Sequence, residues 1–441
     1  MKKKIAILLC ACALLAGCAQ GAQESVSPSQ EQGVTQSQQS GEVAQGVKKL
    51  GTPSGREIAP VELRNEWEKA AFFVDQVFAE KKESVLVSPL SLNVALGMTA
   101  EGASGETATE LYRYLGGQDY ADWVDKYMSY AEKLESQGSD AGNQEETKKF
   151  SNSKYSFSYQ LANSIWIKNG YDLKEEYCEL MEKKFRATAK SVDFGEEADE
   201  TVRLINKWCD EKTKGLIKEV VSKDMFTPEL MAILINSVYF ESPWRDSWTL
   251  TEHEFTNQKG EKTTQEMLGD TVCDYYENQY CTAFAKPYYN GFTFIGILPK
   301  TEGDFNLSDL DLKSLMESHT TDYDVHAICP KLAYETTADN IVDILKAEGV
   351  LKPFDSDHAE FHNLIKDQSL YISDILQKCR IELDEEGTRA AAVTAIFMDK
   401  ATAIYEPREF KEVSLDRPFA YLIYDEVNDV IVFAGKVTEI Q

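Results

Sequence analysis

The chain is predicted to fold as one large α+β domain, and three observations predict it. Capped helical patterns open the folded region, apolar strand patterns recur from residue 159 to the end, and no low-complexity linker interrupts the chain after about residue 56. One strand pattern, Met231 to Phe240, is apolar on both faces, which marks a central strand of a large sheet. No internal repeat is visible.

Taken in order, Lys2, Lys3 and Lys4 precede the apolar run Ile5–Leu15, and Leu15-Ala16-Gly17-Cys18 follows. This is the pattern of an exported bacterial lipoprotein: residues 1–17 are a signal peptide, removed before Cys18, whose thiol receives lipid. The apolar run is well short of the roughly 20 residues that span a bilayer. Residues 18–56 are Gln, Ser, Gly and Val with few large apolar side chains, and they read as a flexible polar tether. The expected localisation is therefore a lipid anchor on the cell membrane, facing the extracellular or periplasmic side, with the folded domain at 57–441.

In that domain Trp67, Ala71, Val74 and Phe78 recur at helical spacing. Val85-Leu86-Val87 is a short strand, Ser88 is an N-cap candidate, and Pro89 starts a second helix through Val94, Leu96 and Met98. Residues 135–154 form a polar insert. Tyr159–Ile167 and Met231–Phe240 are strands on either side of a helix at Asp199–Glu211, and further strands are expected at Phe292–Leu298 and Tyr323–Pro330. A helix at Ala338–Glu348 stops at Gly349. The chain closes with a hairpin, Phe419–Tyr424 and Val430–Val437, about the turn Asp425–Asp429.

The formal net charge of −28 argues against nucleic acid and against attraction to anionic lipid surfaces, since both rely on Lys and Arg. Of the 9 Cys, Cys10 and Cys12 leave with the signal and Cys18 is the lipidation site. Cys178, Cys209, Cys273, Cys281, Cys329 and Cys379 are scattered without paired spacing, so most are expected to be buried free thiols.

The stretch that stands apart is Ile381–Glu406. After the acidic turn Asp384-Glu385-Glu386-Gly387, the chain runs from Thr388 to Glu406 without Gly or Pro and is rich in Ala, Thr, Val and Ile. With period two, Thr388, Ala390, Ala392, Thr394, Ile396 and Met398 share one face, which grows more apolar along its length, while Arg389, Ala391, Val393, Ala395, Phe397 and Asp399 share the other. Alanine alone would favour a helix; the interleaved β-branched residues favour a strand. It reads as a strand not yet paired.

Glu385-Glu386-Gly387-Thr388-Arg389-Ala390-Ala391-Ala392-Val393-Thr394 resembles the hinge of the serpins, the conformationally trapping inhibitors of serine proteases. Val87-Ser88-Pro89-Leu90-Ser91, Leu204-Ile205-Asn206-Lys207-Trp208, Gly215-Leu216-Ile217-Lys218, Ile235–Phe240 with Trp244, Leu298-Pro299-Lys300, Pro330-Lys331-Leu332, Arg417-Pro418-Phe419 and Phe433–Val437 resemble family motifs and occur in family order. The resemblance implies a large central mixed sheet, smaller sheets, surrounding helices and an exposed reactive-centre loop, here about 385–412. It implies no catalytic residue and no cofactor, and a monomer that acts as a suicide substrate: the protease acylates itself on the loop, and the cut loop inserts into the central sheet. Ser88, Ser91, Asn163, Asn236 and Gln377 would form the polar cluster beneath the opening sheet, with Trp244 where the loop enters. The family often has His at the place of Gln377, so no pH response is expected there. Arg389 stands where Glu is frequent and is expected to face solvent at little consequence.

Counting the family's interval from the hinge places the reactive bond at Ala401–Thr402, although the span from Gly387 to Pro418 is longer than usual. A small residue at the cut fits an elastase-like protease; a slipped register would expose Lys400 to a trypsin-like enzyme, or Met398 or Tyr405 to a chymotrypsin-like or cathepsin-like one. Other classes remain: a non-inhibitory serpin-like binding or scaffold protein, and, remotely, a penicillin-interacting enzyme using Ser151 and Lys154. The S-x-x-K match closes a polar insert and lacks partner motifs. His358 and His362, four apart, lack a third metal ligand, and no metal site is expected.

Overall fold

Asn65 starts the first helix because its side chain accepts the Glu68 N–H at 3.0 Å while the Glu68 carboxylate takes the Asn65 N–H at 2.8 Å. This helix, α1 (Glu66–Lys81), buries Ala71, Val74 and Phe78, three members of the predicted stripe. The structure, a computed structural model, describes residues 64–116, 124–133, 157–227, 229–288, 291–366, 369–388 and 408–440. All of them fall in one compact unit, Leu50–Gln441. The signal, the tether, the polar insert with Ser151 and Lys154, and the loop from Arg389 through Ala401 and Thr402 lie outside the described residues.

Strand β1 (Val85–Val87) leads into α2 (Pro89–Gly102), which is capped as expected by Ser88, whose Oγ accepts the Ser91 N–H at 3.2 Å. Helices α3 (Gly105–Tyr114), α4 (residues 124–133), α5 (Glu175–Leu180), α6 (Ala198–Lys212), α7 (Leu312–Glu317) and α8 (Ile341–Ala347) follow. None of the described helices is long and apolar enough to cross a membrane.

Three sheets organise the domain. The central one is built from β2 (Ser158–Lys168), β3 (Thr188–Val192), β4 (Ala232–Pro243), β11 (Leu332–Ala338), β12 (Asp374–Leu383) and β13 (Gly387–Thr388), in the order β11-β12-β13-β4-β2-β3. A second sheet runs β1-β16-β15-β9-β8-β7, adding β7 (Tyr275–Glu277), β8 (Cys281–Pro287), β9 (Phe292–Pro299), β15 (Phe419–Asp425) and β16 (Val430–Val437). The third has four strands, β5 (Thr249–Thr256), β6 (Lys262–Val272), β10 (Tyr323–Pro330) and β14 (Glu409–Ser414), in the order β14-β10-β6-β5.

Strand β4 is apolar on both sides because two cores meet there. Its even-numbered residues Leu234, Val238 and Phe240 enter the large core between the central and second sheets, while Ile233 and Ile235 enter a smaller one with Trp208 and Ile205 of α6. The helical pattern of α6 thus serves as a lid on the outer face of the sheet. One boundary is corrected: Ala338 ends β11 instead of starting a helix. Thr336, Thr337 and Ala338 pair with Cys379, Lys378 and Gln377, and β-branched threonines favour that edge strand over another helical turn. The helix then begins at Ile341. All six cysteines within the described residues are free thiols; four are buried, Cys178 is half-buried and Cys273 is exposed.

Candidate functional site

The site lies between β12 and β4. At one end these strands are zipped together in parallel, from Asp374 opposite Ile233 to Gln377 opposite Asn236. At the other they are held apart by β13, where Thr388 pairs with Leu383 on one side and with Ser242 on the other, and Gly387 pairs with Pro243. Between the two ends, residues 378–382 and 237–241 do not pair with one another. Since paired strands lie about 4.8 Å apart, the opening widens from one strand spacing to two. It is a V-shaped slot.

The closed end is a buried polar knot. The Gln377 amide accepts the Ser88 N–H at 2.7 Å and donates to the Ser88 carbonyl at 2.9 Å and to Asn236 Oδ1 at 2.7 Å. Ser88 Oγ donates to the Val432 carbonyl at 2.7 Å, and Ser91 Oγ to Asn163 Oδ1 at 3.4 Å. Asn163 sits directly across from Asn236 on β2. The sequence-predicted cluster Ser88, Ser91, Asn163, Asn236 and Gln377 is therefore brought together, with none of these residues more than 2% exposed. Among the described residues, Asn236 Nδ2 and Asn163 Nδ2 find no hydrogen-bond acceptor. A buried amide with an unmet donor is costly, so this seam is incompletely satisfied.

The open end is fixed by the turn at 384–387. Asp384 Oδ1 accepts the Glu386 and Gly387 N–H groups at 3.0 and 3.2 Å, and the Asp384 N–H closes the turn on the Gly387 carbonyl at 2.9 Å. Trp244, expected where the loop enters, donates its indole N–H to the Asp384 carbonyl at 2.8 Å and its backbone N–H to the Glu386 carbonyl at 3.0 Å. The Trp248 backbone N–H donates to the Glu385 carbonyl at 2.9 Å. Tyr288 stacks on Trp244, centroids 4.1 Å apart, and its hydroxyl meets Thr388 Oγ1 at 2.7 Å. The acidic turn is thus docked on aromatic rings. Asp384 and Glu386 are buried, and Lys331 reaches Glu385 at 2.9 Å. Burial alone would raise the Glu385 carboxyl, but its own backbone N–H and Lys331 outweigh that and hold it below the ordinary carboxylate value.

Along the slot the two faces differ. Val238, Phe240, Cys379 and Ile381 line the inner face and belong to the large core. On the outer face of β12, Lys378 and Arg380 reach Glu335 at 3.0 and 3.5 Å, and Arg380 pairs with Glu382 at 2.6 Å. Lower on that face, Cys209 of α6 lies 3.7 Å from Ser237 Oγ, its thiol pushed up to about 11 by burial, so it is protonated at neutral pH.

Trp248, Tyr288, Lys331 and Asp384 were not singled out as site residues from sequence, although Lys331 lies in a recognised motif. The aromatic spacing Phe240, Trp244, Trp248 was the available signal. The histidines stay apart from the site: His358 pairs with Asp355 at 2.9 Å and His362 with Ser104 at 2.9 Å. Among the described residues no group of three or more His, Cys, Asp and Glu is arranged to hold a metal ion.

The described central sheet is thus zipped at one end, between β12 and β4, and held apart at the other by β13. The comparisons supply the family. The chain belongs to the serpins: the family model described as Serpin (serine protease inhibitor) matches residues 70–440. It is 29% identical over 371 residues to an uncharacterised serpin-like protein of Thermococcus kodakarensis, covering 81% of each chain. It is 26% identical over 378 residues to human neuroserpin, covering 80% of this chain and 86% of that one. Among solved structures, the thermophilic serpin tengpin in its native state is similar at a TM-score of 0.70 and 30% identity, over 87% of this chain and 98% of that one. The fold is the serpin fold. Serpins are in general protease inhibitors that target serine proteases, rather than enzymes themselves.

Proposed function

We propose that this chain is a suicide-substrate inhibitor of serine proteases, which is cut in the loop 385–412 and traps the acyl-enzyme by inserting the cut strand between β12 and β4. The observation that carries this reading is the V-shaped slot with Gly387 and Thr388 already paired at its open end.

On insertion, continuing the register of Gly387 and Thr388 would bring Ala390 opposite Phe240 and Ile381, Ala392 opposite Val238 and Cys379, and Thr394 opposite Asn236 and Gln377. Ile396 would then fall opposite Leu234 and Ile375, and Met398 opposite Ala232. By strand alternation all would share the inner face with Thr388. The gradient of that face follows: alanines pass beside Phe240 and Ile381, a hydroxyl arrives where two amides must part, and larger apolar groups enter the core last. The Thr394 hydroxyl can both replace the Gln377–Asn236 bond and accept from the unmet Asn236 Nδ2.

The driving force is large. Each ladder hydrogen bond contributes about 0.5–1.5 kcal/mol net, and apolar burial adds about 25 cal/mol per Å². Summed over residues 389–398 this exceeds about 10 kcal/mol, the scale of a whole domain's stability. Against it stand the parting of the zipped pairs and the displacement of α6 from the outer face.

Strand β4 ends at Ala232, opposite residue 398, so a cut at Ala401–Thr402 leaves the acyl-linked residue just past the far end of the sheet. A small Ala401 favours an elastase-like target, with Lys400, Met398 or Tyr405 serving trypsin-like, chymotrypsin-like or cathepsin-like enzymes if the cut falls elsewhere. The protein acts as a monomer. We place it outside the cell, anchored by lipid on Cys18 and held off the membrane by the tether 18–56.

The test is to mix the soluble domain with elastase-, trypsin- and chymotrypsin-like proteases. A covalent complex that survives denaturant, with a released peptide beginning at Thr402, supports the reading. Cleavage by every protease without a complex would make the protein a non-inhibitory relative that serves as a binding module. A peptide starting elsewhere would move only the reactive bond.

A further inference from the structure

We propose that Asp374 is a positioning residue that sets how readily the closed end of the slot parts: ionised it loosens the seam between β12 and β4, and protonated it tightens it. The proposal rests on the insertion reading above and adds its regulation by pH.

The position comes first. Asp374 opens β12 and lies opposite Ile233, the outermost of the four parallel pairs that end at Gln377 and Asn236. Just before it, the Ser373 N–H donates to the Ala232 carbonyl at 2.9 Å, and Ser373 Oγ accepts the Met231 N–H at 2.9 Å. A strand inserted along the whole slot must part the pair of Asp374 with Ile233. Gln377, at the other end of the zipped pairs, does not titrate.

The surroundings of Asp374 oppose its charge. It is half-buried, and its neighbours Ile233 and Ile375 each belong to a hydrophobic core. Asp374 Oδ1 accepts the Ile375 N–H at 2.8 Å, and among the described residues no cation pairs with the carboxylate. The charged groups that act on it are Asp343 of α8 and Asp339 in the turn between β11 and α8, both of like sign. The cation on this side, Lys81 at the end of α1, is engaged by Asp339 at 2.7 Å and by Glu80 at 3.6 Å. From β4 only the apolar Ile233 stands opposite. Three carboxylates thus act on one another where the seam ends, and the one inside the sheet lacks a counter-charge.

The sign of the effect follows. Burial, with Asp339 and Asp343, raises the Asp374 carboxyl to about 6 against the Ile375 N–H that favours the anion, and water reaching it on opening returns it toward 3.8. The proton's support of the closed seam is therefore full below 3.8 and is lost as pH rises through 6. With these two values the opening equilibrium grows about tenfold between about pH 5 and about pH 7.5.

The experiment measures amide hydrogen exchange of residues 233–236 and 374–377 in the intact protein, corrected for intrinsic rates, at about pH 5 and about pH 7.5. Wild type is compared with Asp374→Asn, which keeps an acceptor for the Ile375 N–H, and with Asp374→Ser, a second neutral variant. Opening of the wild-type seam should rise about tenfold with pH, while both variants change by less than about twofold. The rate at which residues 237–241 gain protection after a single cut in the loop should follow the same profile. A wild-type seam that does not respond to pH, or a neutral variant that keeps the wild-type rise, overturns the role of Asp374 and leaves insertion standing. If cleavage brings no protection to residues 237–241 at either pH, the insertion reading falls and this inference with it.

Discussion

Gln377→Ala tests the closed end of the slot. The side chain makes three hydrogen bonds, from the Ser88 N–H at 2.7 Å, to the Ser88 carbonyl at 2.9 Å and to Asn236 Oδ1 at 2.7 Å, and it is 1% exposed. Truncation leaves the Ser88 N–H and the Asn236 amide buried without that partner, and each such group costs about 1–3 kcal/mol. The intact protein should lose about 2–6 kcal/mol on these grounds. The cut, inserted form should lose less, because Thr394 then stands between positions 377 and 236 and supplies a hydroxyl to Asn236. Urea unfolding of both forms gives the two losses, and their difference should be at least about 1 kcal/mol. Equal losses in the two forms would refute the assignment of Thr394 to this seam. A loss below about 0.5 kcal/mol in the intact form would show that the knot is not what holds β12 against β4.

Three further outcomes follow from the site. Lys331→Met should weaken the docked turn by less than about 1 kcal/mol, as for a partly exposed ion pair, and mainly on the neutral side of the titration. The Glu385 carboxyl is held below its ordinary 4.5, so its contribution is present above that value and lost as pH falls through the lowered one; the variant's unfolding curve should lack that acid-side slope. Asp374, the first residue of β12, is raised by burial to about 6, so the folded state binds its proton more tightly and stability rises as pH falls from about 6 toward 3.8. Asp374→Asn should remove that slope and stabilise the intact form at pH 7 by up to about 3 kcal/mol. Tyr288→Phe removes the 2.7 Å bond to Thr388 and should cost about 1 kcal/mol, with faster hydrogen exchange confined to residues 384–388.

Helices and strands with strong periodicity were legible because their patterns reflect a single packing partner. Trp67 to Phe78 faces one core, and Met231 to Phe240 is apolar twice over because two cores meet on it. Ala338 misled because alanine favours a helix and stands beside a helix signal, and its pairing with Gln377 overrides that preference. The polar cluster under the sheet was found through resemblance, since Ser88, Asn163, Asn236 and Gln377 are far apart in sequence and no local pattern links them. The dock for the turn was missed for a related reason. Tyr288 reaches Thr388 across a separation of 100 residues, and Trp248 acts through its backbone N–H, which carries no side-chain signal.

The most direct test of the central claim is amide hydrogen exchange in residues 237–241 of β4 and 378–382 of β12, before and after one cut in the loop. Among the described residues of the intact protein no strand pairs with the amides pointing into the slot, so they should exchange fast. If the cut segment fills the slot, those same amides should slow by about 100-fold or more, to the rate of their neighbours that pair with β2 and β11. Unchanged exchange in both stretches after complete cleavage would contradict insertion between β12 and β4.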